Sequence, residues 1–175
     1  ELLDVQEPFQ ALFTQGMILG PDGNKMSSSK GNVVAPSEIV ERFGADAARC
    51  YVLFMGPPDQ DAAWSQTGVE GVHRFLARLW RIGDELAAAD PGSRIEQPSV
   101  PEGDALTLVR KANWAIDKVT ADLTGRFAFN TAIAAIMELL NELYRHPDAE
   151  LSARRFATAT AASLVFPFAP HLGSE

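Results

Sequence analysis

The sequence predicts a mainly α-helical protein that begins with a short strand, a loop and two small helices. Apolar residues recur at helical spacing through most of residues 67–175, and glycines and prolines interrupt the pattern between helices. Before residue 67, a short apolar run and a turn signal precede a small, polar and cationic stretch at 25–31. Because 46% of the 175 residues are apolar, the chain can bury a core.

Residues 1–66 are expected to form the strand, the loop and the two small helices. An apolar run at 12–19 enters a turn signal at 20–23, which is typical of a strand that reverses direction. Proline in the first turn and a glycine at the end place one helix at 36–44. A second helix at 46–55 should end before the Gly-Pro-Pro sequence that follows it.

Residues 67–175 are predicted to form an antiparallel bundle of four long helices, with a linker at 88–104 after the first helix. The predicted helices cover 68–86, 104–123, 129–144 and 152–166. Asp104 is expected to cap the second helix. The buried face of that helix should hold Val109, Ala112, Ile116, Val119 and Leu123. A rigid turn is expected at 167–171.

Composition and charge exclude several classes of protein. A net charge of −8 excludes a general nucleic-acid coat, so any RNA contact must come from a local patch. The single cysteine, Cys50, excludes an internal disulfide and is expected in the core; with three scattered histidines, no metal site is expected. No apolar run is long enough to span a membrane, and no signal sequence begins the chain, so a cytoplasmic protein is expected. Since the chain begins at Glu1, it is expected to be a piece of a longer protein.

The stretch at 25–31 is the candidate site. It consists of Lys25, Met26, Ser27, Ser28, Ser29, Lys30 and Gly31. Lysine attracts phosphate, serine can donate hydrogen bonds to it, and glycine lets the backbone approach a ligand closely. The spacing does not fit a P-loop. Composition alone favours an ordinary solvated loop, so residue order and context must decide.

Residues 25–29, Lys-Met-Ser-Ser-Ser, resemble the Lys-Met-Ser-Lys-Ser signature of class I aminoacyl-tRNA synthetases. Other segments resemble the leucyl-tRNA synthetases of that class. They lie at 13–17, 30–34, 44–49, 57–58, 64–65, 68–71, 74–80, 129–134, 137–139 and 167–171. The methionyl, valyl and isoleucyl enzymes share the loop and the bundle. The segments between 57 and 71 favour the leucyl enzymes.

The resemblance implies a fragment of an enzyme that activates leucine with Mg-ATP and transfers it to tRNA(Leu). Residues 1–66 would be the end of a Rossmann-like catalytic domain, and 67–175 the anticodon-binding-type domain that holds tRNA. The loop at 25–31 would bind the ATP phosphates, with Lys25 and Lys30 as catalytic cations. The fragment alone is expected to hold no cofactor and to be inactive, and the enzyme is expected to be a monomer.

The sequence departs from the family pattern at two points. Ser28 stands where the signature has its second lysine, which leaves Lys25 and Lys30 as the cations of the loop. The family's other ATP signature, His-Ile-Gly-His, does not occur in these residues. Two alternatives therefore stay open: the same portion of a methionyl, valyl or isoleucyl enzyme, and a stand-alone helical RNA-binding module.

Two groups of side chains in the bundle are candidates for contact with tRNA. Arg74, Arg78 and Arg81 fall on one face of the first helix and could meet RNA phosphates, although a solvated face is the simpler interpretation. On the second helix, Trp114 lies between Lys111 and Lys118 at helical spacing. An exposed tryptophan between lysines can stack on a base, although such a residue more often packs on a neighbouring helix.

Overall fold

The computed structural model describes residues 9, 11–92, 94–125 and 127–175. The prediction of a mainly helical fold is confirmed, and the bounds of the elements are as follows. The strands are β1 (Ile18–Leu19) and β2 (Ala62–Ala63), a 3₁₀ turn covers Ser28–Lys30, and the helices are α1 (Pro36–Phe43), α2 (Ala45–Phe54), α3 (Gln66–Ala89), α4 (Gly103–Gly125), α5 (Phe129–Arg145), α6 (Leu151–Val165) and α7 (Pro170–Ser174).

The first strand is shorter than predicted and has a different partner. β1 is two residues long and pairs in parallel with β2, Ile18 opposite Ala62 and Leu19 opposite Ala63. The turn at 20–23 does reverse the chain, but only one antiparallel bridge follows it in the described structure, between Leu19 and Lys25. Pairing with a segment more than 40 residues away is a tertiary contact that local sequence does not encode.

Most helix boundaries lie within one residue of the predicted ones, whereas both ends of α3 and the end of α4 differ by two or three residues. α3 begins at Gln66 because the Ser65 side chain accepts a hydrogen bond from the backbone N–H of Gly68, which caps the helix. α4 begins at Gly103, so Asp104 lies in its first turn instead of capping it, and the linker is shorter than 88–104 at both ends. The turn at 167–171 runs into α7, which was not predicted.

One hydrophobic core joins the two small helices, α1 and α2, to the helices α3–α6. Its members come from α1, α2, α3, α4, α5, α6 and the turn before α7. On α4 the buried residues are Ala105, Leu108, Val109, Ala112, Ala115 and Val119. The prediction that Ile116 is buried was wrong, because it is 36% exposed. α4 turns its small residues toward α5 and α6, and Ile116 lies about 100° around the helix from Ala115.

Cys50 lies in this core, as predicted, and is fully buried. Burial raises the pKa of its thiol to about 12, with a smaller contribution from the charge of Asp46, so the thiol stays protonated at neutral pH. Within the described residues, no helix is long and apolar enough to cross a membrane.

Candidate functional site

The loop at 25–31 is held at its beginning by the turn that follows β1. The backbone N–H of Gly20 donates to the carbonyl of Asn24 at 2.8 Å, and that of Gly23 donates to the carbonyl of Gly20 at 2.9 Å. The bridge between Leu19 and Lys25 then joins the first residue of the loop to β1. The start of the loop is therefore tied to the small parallel sheet.

The middle of the loop forms a 3₁₀ turn that the sequence did not predict. The N–H of Lys30 donates to the carbonyl of Ser27 at 3.0 Å, and the N–H of Gly31 donates to the carbonyl of Ser28 at 3.3 Å. Gly31 ends the turn with φ of 66°, a left-handed conformation that favours glycine. The hydroxyls of Ser27 and Ser29 lie 2.9 Å apart. A short ordered turn therefore presents Lys30.

Both lysines of the loop point into solvent. The residues Lys25 and Lys30 are exposed, and neither ammonium group forms an ion pair with a residue that the structure describes. Ser28, which replaces the signature lysine, is also exposed. Two cations without a counter-charge among the described residues can therefore meet an anionic ligand at this loop.

Asn32 fastens the far end of the loop, and sequence reasoning gave it no role. Its Oδ1 accepts from the backbone N–H of Ser27 at 2.8 Å. Its Nδ2 donates to both carboxylate oxygens of Asp22, at 3.1 and 3.2 Å, and to the carbonyl of Lys25 at 3.3 Å. Hydrogen bonds from the side chain of Asn32 and from Asn24 lower the pKa of Asp22. The available signal was an asparagine directly after the loop glycine and an aspartate in the turn before it.

The candidate tRNA residues on α3 border one side of α5. Arg78 donates to the side-chain oxygen of Asn141 at 3.0 Å, and its guanidinium lies 4.3 Å from the ring centre of Tyr144. The hydroxyl of Tyr144 donates to the carbonyl of Arg78 at 3.0 Å. Arg74 and Arg81 are exposed, and neither has a hydrogen-bond or ion-pair partner in the described part of the chain.

The candidates on α4 border the other side of α5. The ammonium of Lys111 lies 2.7 Å from a carboxylate oxygen of Glu138 on α5 and 3.4 Å from the ring centre of Trp114. The ammonium of Lys118 pairs with Asp122 at 2.6 Å. The two groups therefore flank one surface, which we call the α5 surface. It consists of the exposed residues Glu138, Asn141 and Tyr144 with Arg78 on one side and Lys111 and Trp114 on the other.

No group of three or more histidine, cysteine, aspartate or glutamate residues is placed to hold a metal ion in the ranges that the structure describes. One surface groove lies between the linker and α6, and another lies between α3, α6 and α7. Neither groove is lined by the loop at 25–31. The candidate site at 25–31 is therefore an exposed loop outside both grooves.

Comparison with known proteins finds tRNA synthetases as the relatives of this chain. The model of the family described as tRNA synthetases class I (I, L, M and V) matches residues 2–65. The leucine--tRNA ligase of Thermosipho melanesiensis is 45% identical over 177 residues, which cover 99% of this chain and 21% of that protein. The leucine--tRNA ligase of Nitratidesulfovibrio vulgaris is 45% identical over 184 residues, with 99% and 22% covered.

Solved structures of tRNA synthetases are also similar to this chain. A chain in the ternary complex of Agrobacterium radiobacter K84 agnB2 LeuRS, tRNA and LeuAMS aligns with a TM-score of 0.85 and 38% identity, over 97% of this chain and 22% of that one. Methionyl-tRNA synthetase of Mycobacterium tuberculosis, bound by methionyl-adenylate, aligns with a TM-score of 0.69 and 21% identity, over 90% and 35%. That second likeness shows the shared fold alone.

The chain spans about a fifth of the length of the curated relatives that it matches. The alignment with leucine--tRNA ligases, at 45% identity, covers 99% of the chain, including the helices beyond the family model. Residues 2–65 therefore match the class I tRNA synthetase family, and the chain is similar along its length to a segment of the leucine--tRNA ligases.

Proposed function

We propose that this chain supplies two parts of a leucine--tRNA ligase: the loop that stabilises the ATP phosphates and a helical surface that binds tRNA(Leu). The observation that carries the first part is the pair of exposed lysines, Lys25 and Lys30, which have no ion-pair partner in the described structure. Identity to leucine--tRNA ligases over 99% of the chain supports the choice of leucine as substrate.

The proposed reaction explains why a cationic loop is needed. A carboxylate oxygen of leucine attacks the α-phosphorus of Mg-ATP, the bond from that phosphorus to the bridging oxygen breaks, and pyrophosphate leaves with the electron pair. Negative charge grows on the departing pyrophosphate in the transition state. Cations at that position lower the barrier when they interact more strongly with the transition state than with bound ATP. The leucyl group then passes from the adenylate to a hydroxyl oxygen of tRNA(Leu), and AMP leaves with the electron pair of the broken acyl–phosphate bond.

Lys30 is the proposed substitute for the lysine that is missing at position 28. It lies two residues after Ser28 on the same 3₁₀ turn, and its side chain is long and unpaired in the described structure. Lys25 keeps the position of the first signature lysine. The alternative is that a cation elsewhere in the full-length ligase neutralises the phosphates and Lys30 is only solvated. The remaining loop residues, Met26, Ser27, Ser29 and Gly31, would contact the phosphates or shape the loop.

Alanine variants of the two lysines test this proposal in a full-length ligase that carries this segment. Lys25→Ala and Lys30→Ala should each lower the rate of adenylate formation more than tenfold, about 1.4 kcal/mol, with smaller effects on ATP binding. Single-turnover formation of leucyl-adenylate measures both quantities.

The matched control removes a positive charge that lies away from the loop. Arg94 is on the linker, with its side chain 89% exposed, and Arg94→Ala should leave the rate unchanged. In the Lys30→Ala background, Ser28→Lys should recover much of the lost rate. A Lys30→Ala variant with the rate of the unaltered enzyme would contradict the proposal that Lys30 takes the place of the lysine missing at position 28.

The second part of the proposal assigns tRNA to the α5 surface and the arginines beside it. The Agrobacterium structure is a complex of LeuRS with tRNA, and a chain of that complex aligns with this one, which supports tRNA as the partner. Lys111 and Trp114 would offer a cation and an aromatic ring to the RNA, Arg74, Arg78 and Arg81 would contact phosphates, and Lys118 lies at the edge.

The proposal also covers the domains, the cellular compartment and the oligomeric state of the enzyme. Residues 1–66 would complete a Rossmann-like catalytic domain, which the parallel pairing of β1 and β2 supports, and 67–175 would be the tRNA-binding domain. The single cysteine is buried and unpaired, which fits a reducing compartment such as the cytoplasm. We propose a monomeric enzyme, and Mg²⁺ would enter with ATP as part of the substrate.

A further inference from the structure

The conformation of the loop depends on one side chain outside it. Residues 27–31 contribute nothing to the buried core, and within the described structure the loop's own hydrogen bonds are the two of the 3₁₀ turn and one between serine hydroxyls. Besides the bridge between Lys25 and Leu19, the additional bonds come from Asn32, which reaches Ser27, Lys25 and Asp22 at once. Its amide therefore joins the two ends of the loop to each other and to the turn before it.

We propose that Asn32, held by Asp22, is a positioning residue that fixes the path of the loop and so places the ammonium group of Lys30 for adenylate formation. This inference rests on the proposed function. Asn32 does not itself touch a reacting atom in this proposal. It acts through the backbone that carries the cation.

The geometry shows how one amide sets the position of Lys30. The bond from the Ser27 N–H to Asn32 Oδ1 closes a ring of six residues, and Lys30 lies inside that ring. Within it, the bond from the N–H of Lys30 to the carbonyl of Ser27 leaves the lysine backbone little freedom. An ordered backbone reduces the entropy that is lost when the side chain meets the phosphates, and that reduction is a main source of catalytic rate.

Asp22 has a separate role, which is to orient the amide. Since a carboxylate only accepts hydrogen bonds, it directs the NH₂ group of Asn32 toward itself and the Oδ1 toward Ser27. The pair also sits directly against the backbone. A Cβ placed on Gly20 would lie 2.8 Å from Asp22 Oδ1 and 3.0 Å from Asn32 Nδ2, so the site requires a residue without a side chain.

The test exchanges donor and acceptor in a full-length ligase that carries this segment. Asn32→Asp puts two carboxylates about 3 Å apart and should lower the single-turnover rate of adenylate formation at least tenfold, with the KM for leucine unchanged. The exchanged pair, Asp22→Asn with Asn32→Asp, restores one donor opposite one acceptor and keeps the acceptor for Ser27. It should recover the rate to within about threefold of the unaltered enzyme.

Hydrogen exchange at the Ser27 amide supplies a readout that does not depend on activity. Exchange should be fast in Asn32→Asp, because repulsion from Asp22 moves the carboxylate at position 32 away from the Ser27 N–H. It should be slow again in the exchanged pair, where that repulsion is absent. Asn24→Ala is the matched control. Asn24 also donates to Asp22, at 3.1 Å, but makes no bond to residues 25–31 in the described structure, so the rate should change less than about threefold.

The possible outcomes distinguish the positioning role of Asn32 from the proposed function. Asn32→Asp with the unaltered rate, or an exchanged pair that stays as slow as Asn32→Asp, would overturn the positioning role while the proposed function stands. A loss of stability without a loss of rate would show that the pair serves folding only, which also overturns it. If the unaltered full-length ligase made no leucyl-adenylate, the proposed function itself would fail, and the positioning role with it.

Discussion

His146 lies between two carboxylates where the end of α5 meets the start of α4. Its Nδ1 is 3.1 Å from Asp104, and its Nε2 is 3.1 Å from Glu142, which also pairs with Arg145. The hydrogen bond with Asp104 is the largest influence and raises the pKa of His146, and Glu142 adds to it against the opposing effect of burial.

This histidine should make stability depend on pH. A raised pKa in the folded state means that protonated His146 stabilises the fold. That contribution is complete below the unfolded-state pKa, about 6.5, and is lost as pH rises through the higher pKa of the folded state. His146→Gln should therefore lower the free energy of unfolding in urea at about pH 6, and the difference should shrink toward about pH 9.

His73→Gln is the control for this prediction. The ring of His73 contacts Phe43, with ring centres 5.6 Å apart, and no carboxylate pairs with it in the described structure. The variant should keep the pH dependence of the unaltered chain. A His146→Gln variant whose loss of stability is the same at every pH would contradict the role assigned to the two carboxylates.

At the residue scale, sequence reasoning could identify charge but not the groups that orient it. Lys25 and Lys30 stand out because cations among serines suggest phosphate. Asn32 and Asp22 could not be chosen, because their role depends on a turn that brings residues ten positions apart within hydrogen-bond distance. Ile116 was assigned to the wrong face because several faces of α4 carry apolar residues, and packing against α5 and α6 decides among them.

At the scale of elements, α2 and α3 are in close contact at Gly68, where there is no room for a side chain. A Cβ on this residue would lie 2.6 Å from Cε2 of Tyr51, whose hydroxyl accepts from the N–H of Ser65 at 2.9 Å. Gly68→Ala should therefore push the ring away, weaken the start of α3 and lower the free energy of unfolding by about 1–3 kcal/mol. Chemical denaturation of the chain measures this loss.

Gly83 offers a control within the same helix. Apart from the adjoining residues and the nearby backbone of α3, no heavy atom of the described structure lies within 4 Å of a Cβ placed there, so Gly83→Ala meets open space. Because alanine favours helix more than glycine does, this variant should raise the free energy of unfolding by about 0.5–1 kcal/mol. If both variants shifted stability in the same direction, the close contact at Gly68 would not be the reason for the change.

The elements that sequence predicts best are those with local causes. The long helices are periodic, and several helix ends carry a glycine or a capping serine: Gly44, Ser65, Gly103 and Gly125. The β1–β2 pair and α7 were missed because each depends on distant residues. α7 begins where the carboxylate of Asp46, on α2, accepts from the backbone N–H groups of His171 at 3.4 Å and Leu172 at 2.8 Å. Asp46 therefore links α2 to α7.

At the scale of the whole molecule, the hydrophobic core is continuous across the predicted domain boundary near residue 66. Buried residues of α1 and α2 belong to the same hydrophobic cluster as those of the bundle. A second link joins Phe13, before β1, to Phe127, at the corner between α4 and α5, with ring centres 5.7 Å apart. Phe127 has φ of 51°, a conformation that costs a residue with a side chain about 1 kcal/mol or more. The loop-bearing segment and the bundle therefore share contacts through which the position of one can affect the other.

The distribution of charge over the molecule leads to the last prediction. With a net charge of −8, the chain as a whole repels RNA. If tRNA binds at the α5 surface, as proposed, binding should depend on the few neighbouring cations that have no acidic partner in the described structure. Arg81 is such a residue, whereas Lys118 is neutralised by Asp122. In a full-length ligase that carries this segment, Arg81→Ala should weaken binding of tRNA(Leu) and reduce the slope of log K against log salt by about one. Arg94→Ala removes the same charge from the linker and should leave the slope unchanged; equal slopes for the two variants would place the RNA elsewhere.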